Sequence, residues 1–293
     1  MKIKTIPTIA PPSLDPEPKK DFAAIEKESY IDVNKQERPQ PVALSMGEVS
    51  RGSNFFPVPI GSYGDYSCIV GPSKSKKTFL KSAFAAAYIG GQSNYYFETI
   101  KGHDAAGKYV IDIDTEQSRY HSQLVAKRVP KMVGSYTPYY RPYATRTHDP
   151  ADRVSLIDWL VYESPYKGKI GLFLIDGLVD LLYNFNDLDQ SQELQKKLLR
   201  WSEDGNCHIM GVLHRNFGSD KPVGHIGSAV LKKAETVIFL DKDEHDRNVT
   251  HVKCEYSRNI PFDDFSFEVG SDWLPHQYHD VKEVRMNEIP FNN

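Results

Sequence analysis

An α/β fold is expected for this chain: a largely parallel sheet extended by antiparallel C-terminal strands. Two observations in the 293 residues lead there. From residue 66 to 214, short apolar runs alternate with helical patterns in the order strand, helix, strand, helix, strand, helix, strand, which places parallel strands side by side. The last third then changes character. ETVIFLD, VTHVKCEYS and DDFSFEVG read as consecutive strands joined by short polar turns.

Each element has a local reason. Residues 1 to about 40 carry Pro7, Pro11, Pro12, Pro16, Pro18 and Pro39 among charges, so they bury too little apolar surface to offset their ordering entropy. An arm over 1–45 is expected, then one domain over 46–270 and a tail over 271–293. The domain's core begins near FFPVPIGSYGDY. YSCIV (66–70) is a strand, and KTFLKSAFAAAYI (77–89) an alanine-rich helix. KYVIDID (108–114) is a second strand, followed by helix to about Met132. YYRPYATRTHDP reads as an irregular passage ending in a helix start, with Asp149 able to cap and Pro150 suited to the first helical position. KIGLFLID (169–176), a helix over 191–204 and CHIMGVLH (207–214) complete the alternating part.

Composition excludes several classes. Forty per cent hydrophobic and 26 per cent charged residues are ordinary for a globular domain. A net charge of −3 provides no general attraction to nucleic acid or anionic lipid, so a polyanion site must be local. No apolar run reaches the roughly 20 residues of a membrane helix, and the first residues lack the apolar centre of a secretion signal. Cys68, Cys207 and Cys254 form no C-x-x-C pair, which argues against zinc and disulfides and for a cytoplasmic location.

Chemistry concentrates at GPSKSKKT, Gly71-Pro72-Ser73-Lys74-Ser75-Lys76-Lys77-Thr78. It matches the phosphate-loop pattern G-x-x-x-x-G-K-[ST] except that Lys76 replaces the second glycine. The stretch lies between a strand and a helix, where free backbone N–H groups and the helix dipole favour an anion. Lys77 would reach the β- and γ-phosphates of ATP, and Thr78 would offer its hydroxyl to Mg²⁺. Lys76 is acceptable there if it takes ordinary helical angles. Asp176, closing GLFLID, is the candidate carboxylate for the Mg²⁺, with Asp180 the alternative.

The order of these landmarks resembles the RecA-like ATPases, in particular the hexameric branch of DnaB-type and RepA-type replicative helicases. The resemblance spans about 55–270 and implies further roles. Glu116, within IDIDTEQS, matches the residue that activates the attacking water, with Asp114 its near neighbour. His214, within VLHRN, matches a γ-phosphate sensor. Arg258, within KCEYSRNIPF, matches an arginine finger reaching a neighbouring subunit's nucleotide, although Tyr256 stands where a first basic residue belongs and leaves only Lys253 as a second cation. Arg258 could instead pair with an acid on its own surface. RNFGSDKPVGHIGSAVLKKAETVIFL resembles the glycine-rich loop that meets DNA, which makes Arg215, Lys221, Lys232 and Lys233 the candidate DNA contacts. TPYYRPYATR (137–146) can be read as base-stacking or as packing. The implied function is an Mg²⁺-dependent ATPase that forms a homo-oligomeric ring on single-stranded DNA, in replication or mobilisation of a plasmid or mobile element. The alternatives are an ATP-binding scaffold and an ATPase that remodels proteins without separating strands.

Overall fold

The computed structural model describes residues 21–91, 96–103, 105, 107–135, 137–215 and 224–279. Among the described residues, those up to Pro39 form one unit and those from Gln40 onward a second. In the first unit, helix α1 (Phe22–Ser29) is capped by Asp21, whose carboxylate accepts from the N–H groups of Ala23 and Ala24.

The second unit opens with a hairpin that the alternating pattern did not reveal, β1 (Val42–Arg51) and β2 (Asn54–Ser62). Then come β3 (Tyr66–Gly71), α2 (Lys77–Gly90), β4 (Ile100–Gly102), β5 (Tyr109–Asp114), α3 (Arg119–Ala126) and α4 (Arg128–Val133). The passage read as irregular contains a strand, β6 (Tyr140–Ala144). It pairs with β5 alone, at the sheet's edge, where Pro142 removes no ladder bond that the fold needs. After α5 (Pro150–Tyr162) come β7 (Ile170–Asp176), a 3₁₀ turn over Leu178–Leu181, α6 (Leu188–Asp204), β8 (His208–His214) and α7 (Gly224–Leu231). β9 (Thr236–Lys242), β10 (Val249–Ser257), β11 (Phe265–Val269) and β12 (Pro275–Tyr278) finish the chain's described part. Asp149 stands at the cap position of α5, but its side chain makes no capping hydrogen bond.

Nine strands form one sheet in the order β12-β11-β10-β9-β3-β8-β7-β5-β6. From β9 to β6 the neighbours are parallel, and from β9 to β12 they are antiparallel, as the sequence pattern predicts. Strand alternation divides the core between the two faces. Ile69, Val110, Leu172 and Met210 pack with Leu80, Phe84 and the β1–β2 hairpin. Cys68, Val70, Ile111, Phe173 and Ile209 pack with Leu160, Leu198 and Trp201.

The small residues of α2 have a second use. A Cβ at Gly102 would lie 2.1 Å from the Ala87 carbonyl oxygen, so β4 can run directly against the helix backbone. β4 pairs with β1, and this second, three-stranded sheet β2-β1-β4 covers one face of α2. The phosphate-loop helix is therefore buried on nearly every side, which fixes the loop in front of it.

Candidate functional site

The carboxyl ends of β3, β8, β7 and β5 meet along one edge of the sheet, the usual place for a ligand in an open α/β fold. Register does the alignment. Gly71 lies opposite His214, and Asp114 lies opposite Asp176. A Cβ at Gly71 would come within 2.7 Å of both the Leu240 carbonyl and Ser75 Oγ, so only glycine fits the start of the loop. GPSKSKKT then turns into α2 with Lys74 (φ 63°) and Lys76 (φ 61°) both left-handed.

The left-handed angle corrects the expectation for Lys76. Residue 76 is the last before the helix, where the chain must reverse so that its N–H groups converge, and helical angles do not accomplish that. The position has the geometry that favours glycine, and lysine pays about 1–2 kcal/mol of backbone strain to occupy it. Its Nζ donates to the Arg247 carbonyl at 2.9 Å, tying the loop to the β9–β10 turn. Lys76→Gly is accordingly expected to leave the melting temperature within about 2 °C of the wild type, the relief of strain offsetting the added chain entropy of glycine and the lost bond to Arg247. Its affinity for ATP should stay unchanged while Lys77→Ala loses binding. Loss of binding in Lys76→Gly would make Lys76 a phosphate ligand instead.

Lys77 is buried, and its ammonium donates to the carbonyls of Gly71 at 2.9 Å and Pro72 at 2.8 Å. A cavity of about 430 Å³ lies in front of it, within the range of small-molecule sites. Residues 73–79 line the cavity together with Glu116, Gln117, Val125, Arg128, Asp176 and His214. Four of the candidates from distant parts of the sequence thus share one space: the loop, Glu116, Asp176 and His214.

Glu116 and His214 touch, Oε1 to Nε2, at 2.6 Å. Asp114 has a different job. Its Oδ1 accepts from the N–H groups of Glu116 (3.0 Å) and Gln117 (2.9 Å), and its Oδ2 from the Ser122 hydroxyl (2.7 Å). Both oxygens are engaged in shaping the turn that presents Glu116. Asp180 is also engaged, accepting from the Thr115 hydroxyl at 2.6 Å, and it does not line the cavity.

Behind Asp176 stands a residue that sequence reasoning missed. Lys81, fully buried, donates to Asp112 Oδ1 at 2.8 Å and lies 3.1 Å from Asp176 Oδ2. Asp112 also accepts from the Tyr140 hydroxyl at 2.6 Å. Burial alone would lower the Lys81 ammonium, but Asp112 and Asp176 hold it above the ordinary lysine range. It lies one turn beyond Lys77 on the same helix, a spacing that was a legible hint, although a lysine among alanines reads first as a solvated side chain. Arg128 was missed as well. Its guanidinium stacks 3.6 Å from the Phe79 ring centroid, at the wall of the cavity.

Among the described residues, two buried polar atoms around this cavity have no hydrogen-bond partner, Ser75 Oγ and Arg128 Nη1, and Asp176 Oδ2 has only the Lys81 ammonium beside it. Buried polar groups are rarely left so, and their convergence on one cavity suits a polar, charged occupant. A triphosphate with its Mg²⁺ fits this donor and acceptor set.

The remaining candidates lie elsewhere. Arg215 is tucked beside the loop, its N–H bonded to the Gly71 carbonyl at 3.1 Å and its guanidinium 3.8 Å from Asp241. Lys232 and Lys233 are exposed between α7 and β9, at the opposite end of the sheet. They therefore form no single basic patch with Arg215. Lys221 lies outside the described residues. Arg258 follows β10 at the same far end, where its guanidinium pairs with Asp65 and donates to the Lys233 carbonyl at 2.9 Å. Burial raises the Asp65 carboxyl, and the Arg258 charge opposes that rise. The tyrosines of 137–146 serve packing: Tyr139 meets Tyr109 edge-on, and Tyr140 holds Asp112.

A phosphate-type loop after the first strand of a parallel sheet, with acidic residues closing the next strands, defines a RecA-like fold. Among solved structures the chain is similar to the crystal structure of the RadB recombinase, with a TM-score of 0.53 and 15% identity over 74% of this chain and 92% of that one. At that identity the likeness shows the fold, without singling out the hexameric helicase branch. No protein-family model and no curated protein sequence matches the chain.

Proposed function

We propose that the protein is an Mg²⁺-dependent ATPase that assembles into a homo-oligomer and acts on DNA. The observation that carries this reading is the convergence of Lys77, Asp176, the Glu116–His214 pair and the unpartnered Ser75 and Arg128 atoms on one cavity. The loop's N–H groups and Lys77 would hold the phosphates, and Thr78 and Asp176 would hold Mg²⁺. The ion would neutralise charge on the β- and γ-phosphates. Glu116 would take the proton of the attacking water, and its bond to His214 supports this reading by tying it to the strand beside the loop. Lys81 pairs with both Asp112 and Asp176 and so fixes the Asp176 side chain at the back of the cavity. ATP turnover by the purified protein, with and without single-stranded DNA, tests the proposal. Stimulation by DNA supports it, ATP hydrolysis indifferent to DNA favours the protein-remodelling alternative, and binding without turnover favours the scaffold.

The loop also implies a pH dependence. Burial lowers the Lys77 ammonium to about 8, with Glu116 and Asp176 opposing the shift. Phosphate needs the charged form and would raise that value in the complex. Affinity for ATP is therefore complete below about pH 8 and falls as pH rises through it, by up to about tenfold per unit. Dissociation constants between pH 7 and 9.5 should show this fall, and Lys77→Arg, always protonated, should flatten it. A flat profile in the wild type would place the ammonium's titration elsewhere.

A further inference from the structure

A second cavity, of about 400 Å³, adjoins the phosphate-loop cavity and shares two of its walls, Lys76 and Phe79. Its other walls come from Asn248 and from the turn between β11 and β12, with Val269, Gly270 and Trp273. The lining is mainly apolar, in contrast to the charged space beside it. A nucleotide seated by its phosphates on the loop has one apolar part, its base, which must lie beyond the phosphates. The space across Lys76 and Phe79 is an adjoining place of the matching character.

The turn fixes the backbone from which an exposed indole projects beside the cavity. Trp273 is 74% exposed although it is the chain's largest kind of apolar side chain, while its neighbour Leu274 is buried. Its backbone is left-handed, with φ 61°, a strained angle for a bulky residue and one that recurs where ligands are clamped. A set of hydrogen bonds maintains it. The Trp273 N–H donates to the Gly270 carbonyl at 3.0 Å, and the Gly270 N–H to the Leu274 carbonyl at 2.9 Å. Asp272 Oδ1 accepts from the Leu274 N–H at 3.0 Å, and the Asp272 carboxylate also meets His276. Asn248 donates to the Val269 carbonyl at 3.0 Å and anchors the turn to the strand ends beside Lys76.

We propose that this cavity receives the nucleobase and that Trp273 is the surface on which the base stacks. The proposal rests on the reading of GPSKSKKT as a triphosphate site and deepens it by naming what recognises the other end of the nucleotide. Stacking on an aromatic ring tolerates any base with a π-face, so the site favours nucleotides over bare phosphates more than one base over another.

Calorimetric titration of the purified chain and of Trp273→Ala and Trp273→Phe, with Mg·ATP and with Mg·tripolyphosphate, tests this. The exposed position lets both variants fold. In Trp273→Ala the dissociation constant for ATP should rise about tenfold, within the range of one lost base–aromatic stack. Trp273→Phe should recover most of that loss, and tripolyphosphate should bind all three proteins alike. ATP should also quench a part of the tryptophan emission that is absent from Trp273→Phe, where Trp159 and Trp201 remain. Unchanged ATP affinity in Trp273→Ala, equal losses for ATP and tripolyphosphate, or a change only in oligomeric state would overturn the platform. If the wild-type chain binds neither compound, the triphosphate site fails and the platform falls with it, a result distinct from the other three.

Discussion

Arg258→Ala should bind ATP as the wild type does and hydrolyse it about a thousandfold more slowly, the scale of an arginine supplied across an interface. The arginine cannot serve its own loop. It sits where β3 begins, bonded to Asp65 and to the Lys233 carbonyl, and β3 then runs about 20 Å before reaching Gly71. A role in hydrolysis therefore requires a second copy of the chain. Mixing Arg258→Ala with Lys77→Ala should restore part of the activity, because some interfaces then join an intact loop to an intact arginine. The rescue should appear only above the concentration at which subunits assemble. Full activity in Arg258→Ala, or a monomer at every concentration with ATP and DNA, would leave Arg258 as the surface partner of Asp65 and favour the scaffold reading. Asp65 is buried, so removing Arg258 leaves its carboxylate without that counter-charge, and a melting curve of Arg258→Ala run beside the assay separates lost folding from lost turnover.

Glu116→Gln should keep ATP bound and lose two or more orders of magnitude in turnover, the contribution of a positioned general base. The amide keeps the size of the carboxylate and can still bond His214, so the change isolates the capacity to accept a proton. Single-turnover hydrolysis alongside ATP titration separates the outcomes. Equal loss of affinity and turnover would make Glu116 a metal ligand or a structural residue. Near-normal turnover would pass the role to another group. Asp114 is badly placed to take it, since its two oxygens already hold Glu116, Gln117 and Ser122. Asp114→Asn should instead act by loosening the turn that presents Glu116.

Much of this architecture is legible in the sequence. Apolar runs bounded by turns marked β3, β5, β7, β8 and the ribbon from β9, because strand and helix periodicity is a local property of the chain. The phosphate loop was legible despite Lys76, since its first glycine and its Lys-Thr pair stand between a strand and a helix. β6 was not, because Pro142 and a run of tyrosines carry no alternation, and only the neighbouring β5 makes the segment a strand. The β1–β2 hairpin and β4 were hidden for a similar reason, as their apolar faces have meaning only against α2.

Residue identity and short-range order determined which groups could do chemistry: the loop lysines, the carboxylates that end strands and the histidine of VLHRN. The tertiary structure decided which of them meet. Strand order brought Glu116 within 2.6 Å of His214, 98 positions away, and separated Arg215 from Lys232 and Lys233, which are close in sequence. It set Lys76 in a left-handed turn, buried Lys81 as the partner of Asp112 and Asp176, and held Arg258 on Asp65. These are consequences of crossovers and of burial, and both depend on residues far along the chain that no local pattern contains.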